Sequence, residues 1–389
     1  MNKWFKLGLF VPLILSLVTA CNFYYSNLEE RQEIAKAADD KSQDITIALV
    51  ETSAKKDNWF IEGARLAIKE INDNGGILEG REFKAEEYDD KGNKELGQEI
   101  ARKIARNLNI VAVIGHRYSK VAVPTSITYE ENGIVFISTG STVPKLTAHK
   151  NLYIFRNVPS DKTIGQGLAK FAATQKFKKI FVIFERTDYG KQLAEFFREG
   201  AESKERNLEV VKIRSYNAKQ TDFRSLFLDA QEFNFDAIFV AGGISNATKL
   251  IKQARSLGIV QPFIGGDSLD NPILWNEVKY GAIGTFVASV FNPNQNKLSQ
   301  RFVENFKKDN GIEPDAKAAQ GYDAVKVLSR AIENSKSTIP IDIAMALRYM
   351  RGWRGAVGSY NFLRSGDIDG RYIHIKRLSA DGEFKFVNE

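Results

Sequence analysis

The chain has 389 residues, 43% of them hydrophobic and 26% charged, the balance of a globular protein long enough for more than one domain. Its net charge of +7 is spread along the sequence with Lys and Arg beside Glu and Asp, and without a basic run it argues against a nucleic-acid partner. Cys21 is the only cysteine, so no internal disulfide can form.

Lys3 and Lys6 precede an apolar run, Leu7–Val18, that is short for a membrane span and ends in Val18-Thr19-Ala20-Cys21. Small residues directly before the lone cysteine predict a lipoprotein signal peptide over 1–20, cut so that Cys21 carries lipid. An ordinary secretory leader with an incidental cysteine is the alternative. Residues 21–43 are polar and charged and read as a part-helical tether holding the globular part off the membrane. No later segment is long and apolar enough to cross a bilayer.

From Ile45 the pattern alternates. Ile45–Val50 is a strand, Asn58–Asn74 a helix closed by Gly75-Gly76, Phe83–Tyr88 a strand, and Leu96–Leu108 a helix. Ile110–Ile114 is short, apolar and β-branched, a strand buried on both faces of a parallel sheet, and Gly115 breaks it. Ser119 stands at a helix N-cap ahead of Pro124, and Asn132-Gly133 ends that helix. A second buried strand, Ile134–Ile137, opens into Ser138-Thr139-Gly140-Ser141-Thr142. This β-α-β-α succession predicts a doubly wound parallel sheet, which puts both turns at the carboxyl edge where ligands bind. Either hydroxyl turn alone is ordinary capping. Together, with their backbone N–H groups, they make a site for a small anionic group such as a carboxylate.

Near Asn157-Val158-Pro159 the pattern begins again. Helices are predicted over Thr163–Thr174, Tyr189–Ser203, Asp222–Ala230 and Ser245–Leu257, alternating with strands Lys179–Phe184, Leu208–Ile213, Asp236–Val240 and Pro262–Gly265. Thr285–Val290 then leaves this second α/β lobe. Helices at Lys297–Asp309, Ala316–Asn334 and Ile341–Met350 follow, with hairpins from Val357 to Val387. Elements stranded after the second lobe return to the first, which predicts discontinuous lobes: 44–157 plus 288–362, and 158–287 plus 363–389, joined by a multi-strand hinge.

Several short marks occur in a definite order. They are Gly63-Ala64 to Gly75-Gly76, Tyr88-Asp89-Asp90, Ile114-Gly115-His116, Thr142 with Pro144 and Leu146-Thr147, and Phe155-Arg156 to Asp161. Gln166-Gly167, Asp188-Tyr189-Gly190, Gly242-Gly243, Gln253-Ala254 with Gly258, and Gly358-Ser359-Tyr360-Asn361-Phe362 complete them. With these the chain resembles the type I periplasmic binding fold, and more narrowly the leucine/isoleucine/valine-binding proteins of branched-chain amino-acid ABC importers, from about Asp44 to its end. The resemblance implies that a ligand α-carboxylate is held by Ser119 and Thr142 with the backbone of Gly140 and Ser141, an α-ammonium by Asp267, and that Tyr189 closes over the ligand. A turn role for Asp267 beside Gly266, and packing within its own lobe for Tyr189, are the plainer alternatives.

The chain departs from that family at Ile244, where the branched-chain binders carry an aromatic residue, and in the loop Glu51–Trp59. Trp59 lines the cleft from that loop or packs at a helix start. Tyr118 takes one position of the family's absent first-lobe disulfide and, with Arg117, Glu185 and Arg186, either alters polarity at the rim or is plain surface. A larger or polar ligand therefore stays open. His116, His149 and His374 lack metal-ligand spacing, and no Gly-x-Ser-x-Gly, Gly-x-Gly-x-x-Gly or phosphate-binding Gly-Lys-Ser/Thr loop occurs. The expectation is a lipid-tethered binder outside the cytoplasm, without enzymatic activity, cofactor or metal, that delivers an amino acid or a related amide or carboxylate to ABC permease and ATPase subunits. A ligand-sensing receptor feeding a signalling partner is the alternative.

Overall fold

The structure is a computed structural model that describes residues 28–39, 43–52, 58–148, 151–203, 206–228, 232, 234–369 and 373–387. The leader and Cys21 lie outside these residues, as does 53–57 of the first-lobe loop.

A helix over 28–39, α1, precedes the first sheet. Then come β1 (Ile45–Glu51), α2 (Phe60–Asp73), β2 (Phe83–Asp89), α3 (Lys94–Arg106), β3 (Ile110–Gly115), α4 (Ser119–Glu131), β4 (Val135–Ser138) and β5 (Ile154–Arg156). The five strands pair in parallel in the order β2-β1-β3-β4-β5. Successive residues of a strand face opposite sides, and here both sides are dry. Ile47 and Leu49 of β1 join a core with Phe60 and Ala64 of α2, while Ala48 and Val50 join a second core with Ile100, Ile104 and Ala122.

The second lobe runs α5 (Asp161–Thr174), β6 (Lys179–Glu185), α6 (Asp188–Ala201), β7 (Glu209–Tyr216), β8 (Ala237–Ala241), α7 (Ile244–Ser256), β9 (Phe263–Gly265), α8 (Ile273–Val278) and β10 (Phe286–Ser289). The chain then returns through α9 (Lys297–Asn310), α10 (Ala316–Ser335) and α11 (Pro340–Tyr349). Val325, Leu328, Ile343 and Leu347 of α10 and α11 bury in the first lobe's core, opposite α3 and α4. Strands β11 (Trp353–Arg354), β12 (Ser359–Phe362) and β13 (Ile368–Asp369) form a small antiparallel sheet whose Tyr360, Phe362 and Ile368 join the same core. The last crossing therefore falls after Asp369, later than 362–363. β14 (His374–Leu378) and β15 (Phe384–Phe386) complete the second sheet, ordered β15-β14-β10-β9-β8-β6-β7.

Three local expectations change. Asp222–Ala230 is not a helix: its described part is a 3₁₀ turn at Arg224–Phe227. Ser119 is the first helical residue of α4 and Tyr118 occupies the cap position, without a side-chain cap bond. The stretch 21–43, expected to be a part-helical tether, does hold a helix, α1, but its Arg31 is buried against the first lobe rather than held away from it.

Candidate functional site

The site is built on the carboxyl edges of β3 and β4. Gly115 has φ +140 and lies so close to the Val50 carbonyl that a Cβ would stand 1.8 Å from its oxygen, so only glycine fits. His116 follows at φ +51, donates its backbone N–H to Val50 O at 2.8 Å, and is held from both ring nitrogens. Nδ1 lies 2.9 Å from Asp90 Oδ2 and Nε2 lies 2.7 Å from Tyr129 Oη, all buried. Burial works to raise Asp90, but the hydrogen bond and charge of His116, with bonds from Gly92 and Thr52, hold it below its ordinary value. This buried chain fixes the loop that delivers Arg117, Tyr118 and Ser119.

The β4 turn meets that loop directly. A Cβ on Gly140 would stand 2.7 Å from the Arg117 carbonyl oxygen, so the two turns touch backbone to backbone. Ser141 Oγ donates to Ser119 Oγ at 3.0 Å, and the Ser141 N–H donates to Ser138 Oγ at 3.2 Å rather than standing open. The hydroxyl of Ser119 caps no helix; it points at the neighbouring turn. Buried Arg156 braces the turn from behind, donating to the carbonyls of Ser141 at 3.2 Å and Val143 at 2.9 Å and to Thr147 Oγ1 at 2.7 Å.

Thr142 is buried and its carbonyl accepts the Asp161 N–H at 2.8 Å. Asp161, which opens α5, is fully buried, with the Thr142 hydroxyl beside its carboxyl. Burial and the charge of Asp267 push it up to about 8, against the pull of the Thr142 hydroxyl and Arg156. From the second lobe, Tyr189 Oη lies 3.1 Å from both Asp267 Oδ1 and Ser268 Oγ, and Ser268 Oγ donates to Gly242 O at 2.7 Å. Burial first, then the charges of Asp267 and Asp161, raise the Tyr189 phenol well above its ordinary value, which keeps it a neutral donor. A Cβ on Gly266 would stand 2.6 Å from Tyr189 Oη, so the glycine before Asp267 makes room for the ring.

Helix α4 lies against α6 across the gap. This arrangement sets Ser119, Gly140, Ser141 and Thr142 on the first-lobe turns and Tyr189 and Asp267 in the second lobe, linked through Asp161, which the Thr142 hydroxyl and the charge of Asp267 both reach. Chemically it offers hydroxyl donors to an anion and paired acids to a cation. Two predicted residues stand apart. Tyr118 is 41% exposed at the rim, its ring near Gly92 and flanked by Arg117 and Lys120. Trp59 packs half-buried on a cluster with Phe291, Phe302 and Ala318, the helix-start alternative. Asp161 stands in the sequence reading as the end of the Phe155-Arg156 to Asp161 mark, without a site role, although Ser160-Asp161 after Pro159 is a helix-start signal that places an acid beside the turn.

Among the described residues no cluster of His, Cys, Asp and Glu is suited to a metal ion, and no helix is long and apolar enough to cross a membrane. A family signature described as periplasmic binding protein matches residues 57–375. The chain belongs to the periplasmic binding protein family. Among curated members of comparable length it is 31% identical to the leucine-specific-binding protein of Salmonella typhimurium, over 89% of this chain and 92% of that one. It is 30% identical to Leu/Ile/Val-binding protein homolog 1 of Brucella abortus, over 84% and 88%. Of solved periplasmic binding proteins, an ABC transporter substrate-binding protein from Desulfitobacterium hafniense in complex with Leu superposes with a TM-score of 0.80 at 35% identity, over 88% of this chain and all of that one (100%). The leucine-binding protein LivK of Thermotoga maritima gives 0.80 at 26% identity, over 88% and 98%. The fold is the type I periplasmic binding fold, and the family is one of solute binders.

Proposed function

We propose that this periplasmic binding protein captures a small amino-acid-like ligand outside the cytoplasm and presents it to the permease and ATPase subunits of an ABC importer, with lipid on Cys21 holding it at the membrane. Ser119, Ser141 and Thr142, with the backbone of Gly140, take the α-carboxylate; Asp267, backed by Asp161, takes the α-ammonium; Tyr189 closes over the ligand. What supports this reading is that the first-lobe hydroxyl turns and the second-lobe Tyr189–Asp267 pair are linked through Asp161, which the Thr142 hydroxyl and the charge of Asp267 both reach. Hydrogen bonds to a charged group contribute roughly 1.5–3 kcal/mol each, so half of the contacts leaves the ligand poorly held and the full set favours the closed lobes. The relatives named for leucine, isoleucine and valine support an amino acid as the ligand class. Calorimetry with a panel of amino acids tests it. Asp267→Ala strands an ammonium in a dry crevice and is expected to weaken binding by roughly 3–5 kcal/mol. Unchanged affinity would remove Asp267 from the site.

A further inference from the structure

We infer that Leu152, Tyr349 and Leu363, with Arg351 and Arg364 beside them, form a surface on which the first lobe rests against the lipid headgroups of the membrane. This rests on the lipid-bearing Cys21 proposed above and adds an orientation to it. One side chain gathers three separate segments. Arg348, buried near the end of α11, donates to the carbonyls of Asn151 and Leu152 just before β5, the latter at 2.9 Å, and to the carbonyl of Arg364 between β12 and β13. A guanidinium is a rigid planar fork, so carbonyls that share one lie side by side.

Each of the gathered segments leaves an apolar residue in solvent: Leu152 is 48% exposed, Tyr349 70% and Leu363 42%. Met345, also exposed, lies one turn before Tyr349 on the same face of α11. Arg351 and Arg364 are exposed too, and Arg351 folds back on the end of α11, donating to the carbonyls of Arg348 and Met350 at 2.8 Å each. The neighbouring acids are engaged by the protein. Glu130 accepts the N–H groups of Leu152 at 2.7 Å and Tyr153 at 2.9 Å, and Asp367 lies 3.2 Å from Arg156. Aliphatic and aromatic side chains among cations suit the boundary between acyl chains and phosphates.

The start of α1 says what covers this surface. A Cβ on Gly133 would stand 2.3 Å from Leu28 Cδ1 and 3.6 Å from Tyr153 Cζ, so the first described residue of α1 and the residue after Leu152 share one spot. Cys21 stands seven residues before Leu28, a reach of at most about 25 Å. Lipid on that cysteine therefore keeps this face close to the bilayer, where even a weak contact forms. Leu152 lies at the amino edge of the first sheet, so the turns after β3 and β4 open away from the membrane, the posture for collecting ligand. Delivery to a permease requires the contact to release, which a surface of so few side chains permits.

The test uses the lipidated protein in vesicles of phosphatidylethanolamine and phosphatidylglycerol that carry a headgroup quencher. Cys21 is the only cysteine and its sulfur would bear lipid, so a cysteine introduced by Tyr349→Cys, by Leu363→Cys or, as a control on the second lobe, by Val260→Cys takes a fluorophore alone. Val260 is as open to solvent as Tyr349, and thermal midpoints confirm that each variant folds. Labels at 349 and 363 are expected to be quenched at least roughly twofold more than the label at 260. Arg351→Glu combined with Arg364→Glu should remove most of that excess. Equal quenching at all three positions, or an excess that charge reversal leaves intact, would overturn the membrane face while the lipid anchor stands. A protein whose mass carries no acyl chains and which stays free of the vesicles would remove the anchor itself, and this inference with it.

Discussion

Asp161 is a fully buried acid beside a second acid, with the Thr142 hydroxyl and the Arg156 charge too little to offset its burial. Its value stands at about 8 against an ordinary 3.8, so between those limits the folded chain holds a proton that the unfolded chain has lost. Unfolding free energy therefore falls as pH rises through that window, the reverse of a salt-bridged carboxylate. Asp161→Asn removes the titration, and its Tm should exceed the wild-type Tm by more at about pH 8 than at about pH 5. Differential scanning fluorimetry without ligand reads this directly, and equal differences at both pH values would show that Asp161 does not titrate as its surroundings require. Glu51, pushed up to about 7 chiefly by burial, has the same sign and cancels in the comparison. At this scale the sequence announced hydroxyls and acids by type and order but not their ionisation. The chemistry of Asp161 comes from being covered by Thr142, Arg156 and Asp267, which lie far from it in sequence or across the gap.

Elements were legible where apolar periodicity ran for three turns or more, as in α2, α3 and α6, and less so where short pieces carry the same spacing. Phe223, Leu226 and Phe227 are all buried, a spacing that reads as one helical face, yet they belong to a single 3₁₀ turn. α8 has six residues and β5 three, too few for any period to repeat. α1 is the other surprise, because a polar, charged stretch holds its place through one side chain. Buried Arg31 donates to the carbonyls of Ala105 and Ile110 at 2.7 Å each, and of Asn132 at 3.0 Å. Ala105 and Asn132 lie at the carboxyl ends of α3 and α4, where carbonyls lack partners within the helix. At the other end of α1, Asp39 accepts from Thr338 N at 2.8 Å and pairs with Arg81. Arg31→Ala would leave those carbonyls covered and unbonded at about 1–3 kcal/mol each. The Tm of the variant is expected to fall by roughly 5 °C or more, while calorimetry finds ligand affinity within about twofold of wild type. A preserved Tm would mean that α1 is not docked in solution.

The whole molecule separates two jobs on opposite edges of its first sheet. The crevice opens at the carboxyl edge, past Gly115 and Ser138, whereas α1 is fastened at the amino edge, where Arg31 reaches Ile110 and Asn132 and Asp39 reaches Arg81. Between the lobes the chain crosses after β5, after β10 and after β13. Arg156 links two of these crossings: beside its bonds to the turn after β4 it lies 3.2 Å from Asp367, just before β13, so hinge and β4 turn share one side chain. Only a few residues separate Cys21 from α1, a reach of at most about 3.6 Å per residue. A lipid on Cys21 would thus fasten the first lobe by the edge that does not bind, leaving the second lobe free to swing onto the ligand. Cys21→Ala is then expected to move the protein from the membrane fraction to the soluble fraction with ligand affinity unchanged, because α1, the first described element after it, is fastened at the amino edge and away from Ser119 and Thr142. Retention of the variant on membranes would mean that the uncut leader or a surface other than this cysteine holds it there, a choice that amino-terminal sequencing of the variant makes, and a fall in affinity would mean that the two edges are coupled.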